Sequence, residues 1–244
     1  MEKKDLLKDV IKHIDIKSYN STELVDAMRN MSFTSRDTAR AADILMMMCK
    51  EKECTNILTL AGSTSAAGCM QVYVDMVRNK MIDVVVATGA SIIDMDLFEA
   101  LGFKHYIGEK ENVIPDTTLR ELYIDRIYDT YIDEEELQAC DHTTFKIANM
   151  LEARPYSSRE FIYEIGKWLH EGNAVKKDSL IQTCYECGVP IFVPAFSDSS
   201  AGFGIGKHQW ERMQKGEKYL SIDSVKDFVE LTQIKMQAPE TGLF

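Results

Sequence analysis

Short apolar segments alternate with amphipathic helical patterns along most of the chain. Segments 56–62, 81–91 and 189–196 are rich in β-branched and aliphatic residues, and each ends in small or polar residues. The second contains three consecutive valines, Val84 to Val86, which is typical of a strand buried on both faces. Strands that alternate with helices predict an α/β fold, with a mostly parallel sheet and helices on both of its faces.

The helical patterns have recognisable starts and stops. Ser157 and Glu160 have the spacing of a capping box, and Gly172 is suited to end the helix that they open. Asp178 is expected to cap the next helix. Segment 106–131 is expected to be an irregular excursion with short helices. The predicted helices cover 39–52, 67–80, 94–101, 133–153, 160–172, 179–187 and 222–237.

Ligands of open α/β sheets bind beyond the carboxyl ends of the strands. This rule selects three segments, which we call the first tip (61–67), the second tip (88–94) and the third tip (197–206). The first offers backbone N–H groups at a helix N-terminus, as a pyrophosphate requires, although an ordinary turn of small residues would look the same. In the second, Asp94 either contacts a ribose or cationic substrate or only complements the helix dipole.

The third tip inserts a polar run between its strand and its glycines. Asp198 is suited to accept hydrogen bonds from hydroxyl or ammonium groups. The glycines follow too late for a dinucleotide-binding fingerprint. His208, just beyond, is a general base, a ligand contact or a structural residue. The glycines are Gly202, Gly204 and Gly206.

Composition narrows the class of protein. The 244 residues carry a net charge of −11, which argues against nucleic acid and is compatible with a cationic ligand. No apolar run reaches the roughly 20 residues of a membrane span, and we expect a cytoplasmic protein. Cys184 and Cys187 form a lone C-x-x-C without a second pair of ligands, so we expect reduced thiols and no metal site.

Several long segments resemble the deoxyhypusine synthase family, in family order, from about Thr34 onward. Two of these segments, ELYIDRIYDTYID and SREFIYEIGKWL, are most similar in sequence to the bacterial and archaeal deoxyhypusine-synthase-like branch. The matching segments are TLAGSTSAAG, MIDVVVATGASIIDMDLFEALGFKHYIGE, ELYIDRIYDTYIDEEEL, ARPYSSREFIYEIGKWL, VPIFVPAFSDSSAGFGIGKHQW and IDSVKDFVELTQIK.

The resemblance implies a Rossmann-like fold, a homotetramer and NAD as the cofactor. It implies oxidation of a polyamine, spermidine in the true synthases, and transfer of the aminobutyl group to a lysine of the hypusine-containing translation factor. Related enzymes use a small amine as the acceptor. Carried over by position, the cofactor-binding residues are Gly62, Ser63, Thr64, Ser65, Ala66, Thr88, Gly89, Ala90 and Asp198, and the substrate-binding residues are Asp94, Asp96 and His208.

The sequence departs from the family pattern at the amine end of the pocket. Asp94-Met95-Asp96 stands where the eukaryotic synthases have consecutive glutamates, and Phe203 replaces an acid. The chain stops at Phe244, before the family's catalytic-lysine region, so we expect a truncated chain, inactive by itself, and nominate no catalytic lysine. We expect an N-terminal helical extension (1–33) and an incomplete NAD-binding domain (34–244).

Three functions remain open at this stage. The first is an NAD-dependent aminobutyl transferase that acts on a polyamine. The second is a homospermidine-type synthase that uses putrescine or agmatine. The third is a non-catalytic NAD-binding subunit or a fragment of a hetero-oligomer.

Overall fold

The computed structural model of the protein describes residues 1–108 and 113–244. Within these ranges the strands are, in chain order, β1 (Cys54–Leu60), β2 (Val84–Ala87), β3 (Tyr106–Ile107), β4 (Ile124–Ile127), β5 (Thr130–Asp133), β6 (Pro155–Tyr156), β7 (Ile191–Phe192), β8 (Ser221–Ile222) and β9 (Glu240–Leu243).

The helices of the described residues connect these strands. They are α1 (Lys3–Leu6), α2 (Thr22–Met28), α3 (Phe33–Lys50), α4 (Met70–Arg78), α5 (Phe98–Ala100), α6 (Asp116–Glu121), α7 (Glu134–Met150), α8 (Ser158–Trp168), α9 (Leu180–Cys187), α10 (Ala201–Gln214) and α11 (Ser224–Gln237). A 3₁₀ turn covers Ile16–Ser18, and π-helical turns cover Ser65–Cys69, Ala90–Leu97 and Leu169–Asn173. Across the described ranges, no helix combines the length and the apolar character needed to cross a membrane.

The central sheet has the strand order β7-β2-β1-β9, and all of its pairs are parallel. Val84 and Val85 point to opposite faces of β2, yet both are buried. The central strand is therefore covered on both sides, which confirms the predicted fold class. The main hydrophobic core joins this sheet to α4, α8 and α9.

The segment expected to be irregular forms a second sheet instead. Strands β3, β5 and β4 pair antiparallel in that order, and residues 128–129 form the tight turn between β4 and β5. Tyr128 adopts a positive φ of 54° in this turn. Such a conformation usually involves glycine or asparagine, and the sequence has neither there. The prediction was wrong here, except for the short helix α6. Residues 109–112 of the segment lie outside the described residues.

The predicted capping box at the start of α8 is confirmed. Ser157 Oγ accepts from the Glu160 N–H at 3.0 Å, and Glu160 Oε2 accepts from the Ser157 N–H at 2.7 Å. The cap predicted at Asp178 is wrong by one residue. Ser179 Oγ accepts from the Gln182 N–H at 3.1 Å, whereas Asp178 adopts a positive φ and pairs with Arg78.

Removing the α8 cap should weaken the fold modestly. We expect Ser157→Ala to lower the free energy of unfolding by about 1 kcal/mol, because the partly buried backbone N–H of Glu160 loses its acceptor. Chemical denaturation of the two proteins measures the difference. Ser21→Ala is the matched control, because Ser21 precedes α2 without a side-chain capping bond. Equal stability of Ser157→Ala and the parent protein would contradict the capping role.

Candidate functional site

The first and second tips lie side by side at the carboxyl edge of the sheet. Ser91 is fully buried, and its Oγ donates to the carbonyl oxygen of Gly62 at 3.1 Å. The same hydroxyl lies 3.1 Å from Thr88 Oγ1. The parallel pairing of β1 with β2 ends at Leu60 and Ala87, so both tips leave the sheet at the same level.

The side-chain carboxylate of Asp94, on the second tip, is hydrogen-bonded to the third tip. Asp94 Oδ1 accepts from the backbone N–H of Ser200 at 3.0 Å and from its hydroxyl at 2.6 Å. A Cβ on Gly89 would lie 2.5 Å from Ser199 Cβ, so only glycine permits this approach. The structure therefore brings all three predicted tips to one end of the sheet.

The first tip has the features of an anion cradle. Gly62 has a φ of +70°, and a Cβ there would meet no described atom within 4 Å. Ser65 is buried, and its hydroxyl finds no hydrogen-bond partner among the described residues. A buried hydroxyl without a partner costs free energy unless a ligand supplies one. Ser63, Thr64 and Ala66 lie on the same turn, so this set of residues fits a dinucleotide.

Asp94 and Asp141 form the acidic part of the site. Asp94 is partly exposed, and burial raises its pKa while the hydrogen bonds from Ser200 oppose the rise. Burial, aided by the negative charges of Asp94 and Glu134 and opposed by Ser200, raises the pKa of Asp141 to about 6. Asp141 Oδ1 is buried and has no hydrogen-bond partner in the described structure. Asp141 is not among the site residues predicted from the sequence.

Asp198 lies exposed on the third tip, and its backbone N–H donates to the carbonyl of Ala195 at 3.0 Å. Its carboxylate is therefore open to a ligand that approaches the tips from solvent. Thr88, Gly89 and Ala90 lie at the end of β2, where Ala90 begins the π-helical turn. This helical turn starts four residues earlier than the sequence predicts.

Asp96 lies on the far side of its helix from Asp94. It is buried, and its two oxygens each accept a backbone N–H at 2.8 Å, from Leu180 and Ile181 at the start of α9. Burial raises its pKa to about 6. Residues two positions apart along a helix lie on nearly opposite sides of its axis, which explains why Asp94 and Asp96 face different partners. We therefore do not carry Asp96 into the proposed substrate site.

His208 is also buried within the fold. Its Nε2 accepts from the Leu220 N–H at 2.9 Å, so its Nδ1 donates to Asn149 Oδ1, also at 2.9 Å. Burial lowers the pKa of His208, which keeps the imidazole neutral. Both ring nitrogens have protein partners, so His208 is likewise left out of the proposed substrate site.

The glycines after the third tip belong to a helix and not to a loop. Gly202, Gly204 and Gly206 all lie in α10, which packs against α7. The backbone there is helical, so these glycines do not form a nucleotide-binding turn.

Cys184 is buried and Cys187 is exposed. In the part of the chain that the structure describes, no group of three or more His, Cys, Asp or Glu residues is arranged to hold a metal ion.

Comparison with known proteins gives a family for this arrangement. The family model for deoxyhypusine synthase matches residues 23–244. A deoxyhypusine synthase-like protein of Caulobacter vibrioides is 64% identical over 243 residues, which cover 100% of this chain and 66% of the relative. One of the same name from Coxiella burnetii is 57% identical over 241 residues, 99% of this chain and 67% of the relative. The chain thus spans about two thirds of the length of these curated relatives.

A solved structure supports the fold independently. The crystal structure of a candidate deoxyhypusine synthase from Entamoeba histolytica superposes with a TM-score of 0.65 over 96% of this chain and 80% of that chain. Its sequence identity is 19%, so this likeness bears on the fold alone.

Proposed function

The chain belongs to the deoxyhypusine synthase family, and on this premise we propose that its three tips bind NAD and a polyamine for aminobutyl transfer. In this reaction a hydride leaves the carbon beside a secondary amine, and the amine becomes an imine. An acceptor amine adds to the imine carbon, the remaining diamine leaves, and the hydride returns to reduce the new imine. The acceptor is either a protein lysine, as on the hypusine-containing translation factor, or a small amine.

The observation that carries the proposal is the convergence of the three tips. Cofactor-type features on the first two tips lie next to carboxylates on the second and third, because Ser91 and Asp94 tie the tips together. A nucleotide cradle beside an acidic pocket suits an anionic cofactor and a cationic substrate. A simple dehydrogenase of neutral substrates has no use for the acidic half.

The residues proposed to hold NAD belong to all three tips. The phosphates would bind to backbone N–H groups at a helix start and to the hydroxyl of Ser65, which has no hydrogen-bond partner among the described residues. When bound, NAD supplies the hydride acceptor. The proposed contacts are Gly62, Ser63, Thr64, Ser65, Ala66, Thr88, Gly89, Ala90 and Asp198.

The residues proposed to hold the amine are carboxylates. Asp94 keeps one oxygen for Ser200, and Asp141 has an oxygen free of partners among the described residues. The charge of Asp94 raises the pKa of Asp141, so the two carboxylates repel each other, and a bound ammonium group would relieve this repulsion. Phe203, exposed on α10, leaves the rest of this end less acidic than the family pattern, which favours a small amine as acceptor.

The family resemblance supplies three further proposals. We propose a homotetramer, a cytoplasmic location, and a division into an N-terminal extension (1–33) and an NAD-binding domain (34–244). Sedimentation of the purified chain tests the first. Limited proteolysis tests the division, because cleavage would concentrate near residue 33.

The function is tested with the purified chain by two titrations. Calorimetry measures NAD binding, and NADH absorbance then follows amine-dependent reduction with spermidine, putrescine and agmatine in parallel, with products identified by mass. A transient rise in NADH absorbance, followed by a new secondary amine as product, supports the transferase and identifies the donor. NAD binding without reduction by any amine would favour a cofactor-binding subunit, and failure to bind NAD would overturn the proposal.

Neutralising Asp198 should weaken binding without affecting the fold. We expect Asp198→Asn to reduce affinity for NAD or amine about tenfold, because one charge-assisted hydrogen bond becomes a neutral one. Calorimetry measures the affinity, and circular dichroism checks the fold. Asp178→Asn is the control, since Asp178 is an exposed aspartate paired with Arg78 outside the tips. Unchanged affinity in Asp198→Asn would remove Asp198 from the site.

A further inference from the structure

An N-terminal segment that precedes the family-model match packs against Gly68, directly after the first tip. We call residues 9–17 the strap. Ile107 N–H donates to the Asp9 carbonyl at 2.7 Å, and Ile11 N–H donates to the His105 carbonyl at 2.9 Å. At its other end, Ile14 N–H donates to the carbonyl of Gly68 at 3.0 Å. The strap therefore connects the small antiparallel sheet to the turn that follows the first tip.

From these contacts we infer that His13 is a positioning residue, which fixes the first tip against the second for cofactor binding. The inference rests on the proposed function, because it assumes that these tips bind NAD. Residues 1–22, which include the strap, lie outside the match to the family model.

The hydrogen bonds of His13 define its tautomer. The backbone N–H of Met70 can only donate, and it lies 3.2 Å from His13 Nδ1. Nδ1 must therefore accept, and Nε2 carries the proton that it donates to Glu99 Oε2 at 2.6 Å. Met70 is the first residue of α4, the helix that follows the first tip.

Glu99 is a rigid anchor for this contact. It is buried in α5, which continues the helical turn that begins at the second tip. Burial alone would raise its pKa, but hydrogen bonds from His105 and His13 and the charge of Lys176 bring the pKa well below the usual range. The carboxylate therefore stays ionised. His13 thus bridges the helix of the first tip to the helix of the second.

The strap approaches the backbone of Gly68 so closely that no side chain fits between them. Gly68 has a φ of +93°, and a Cβ there would lie 2.8 Å from the carbonyl oxygen of Lys12. Any other residue would both strain the backbone and push the strap away. This close approach allows a side chain as short as histidine to reach both Met70 and Glu99.

The test compares His13→Gln with His170→Gln. His170 lies in Leu169–Asn173 and pairs with Glu186 at 3.0 Å on the surface. It is therefore also a histidine paired with a glutamate, but it lies away from the tips. We expect His13→Gln to weaken NAD binding about fivefold, the order of one hydrogen bond. It should also speed amide hydrogen exchange in peptides that cover 62–70. His170→Gln should change neither quantity.

His13→Asn breaks the other end of the bridge. Its side-chain oxygen can occupy the position of Nδ1 and accept from Met70, but it leaves Glu99 without the Nε2 donor, whereas glutamine reaches only toward Glu99. Because each variant keeps one contact and loses the other, we expect His13→Asn also to lose NAD affinity and exchange protection over 62–70. Losses in both variants, at the thermal midpoint of the parent chain, support a positioning role.

The outcomes distinguish this inference from the function on which it rests. If the parent chain binds NAD and His13→Gln binds it equally well, His13 has no positioning role and the proposed function stands. If the parent chain does not bind NAD, both fail. Losses in the two His13 variants that only follow a lowered thermal midpoint would also overturn the inference, because they would indicate general destabilisation.

Discussion

Gly204→Ala is expected to lower the free energy of unfolding by about 2–3 kcal/mol, the range found when a packed interface receives an extra group. A Cβ at Gly204 would lie 1.9 Å from Thr144 Oγ1 and 2.5 Å from the carbonyl oxygen of Asp141. The second contact is with backbone, so rotating a side chain cannot relieve it. Helix α10 would have to move away from α7, and Ser200 at the start of α10 would move with it.

Gly206→Ala is the matched control on the same helix. A Cβ at Gly206 would meet no described atom within 4 Å, so alanine should stabilise the helix by about 0.5–1 kcal/mol. Denaturant unfolding of the three proteins measures both effects, which have opposite signs. If the two substitutions change stability equally, the α7–α10 contact does not restrict Gly204. NAD affinity should fall in Gly204→Ala and stay unchanged in Gly206→Ala.

The central sheet was predictable because its strands are short, apolar and separated by helices. Val84 to Val86 alone indicate a strand covered on both faces, and the tips follow from the rule that ligands bind beyond carboxyl ends. The small antiparallel sheet was not predictable in the same way. Its strand β3 has two residues, and its pairing partners lie far along the chain, in β5 and in the N-terminal segment. Local patterns carry no information about such pairs.

The individual site residues were less predictable than the tips. Asp94 and Asp96 look equivalent in the sequence, yet a helical turn directs one to Ser200 and the other to the start of α9. The sequence around His208 gave no sign of its two hydrogen-bond partners, Asn149 and the backbone of Leu220. Asp141 did leave a signal. It lies between Leu137 and Thr144 on the stripe of α7 that packs inward, where a carboxylate is unusual.

Asp141→Asn is expected to make the protein more stable and a poorer binder of amines. The pKa of Asp141 rises from its ordinary value of 3.8 to about 6, chiefly through burial. Ionisation therefore costs stability in the folded state, and this cost grows as the pH rises from about 4 to above 6. Asparagine avoids the cost, so we expect a gain of about 1 kcal/mol at pH 8, after discounting for partial exposure, and none below about pH 4.

The amine should respond in the opposite direction, with the same pH dependence. If Asp141 contacts the ammonium group, its charge contributes only above about pH 6, and Asp141→Asn should weaken amine binding about 10- to 100-fold at pH 8. The difference from the parent protein should shrink as the pH falls below 6. Asp141 of the parent protein is then protonated and neutral, so it no longer attracts the ammonium group. Calorimetric titration with spermidine, putrescine and agmatine at a series of pH values measures this, and Asp37→Asn, an exposed helical aspartate on α3, is the control. Greater stability with unchanged amine affinity would make Asp141 a structural acid of the α7–α10 contact and would leave Asp94 as the proposed amine ligand.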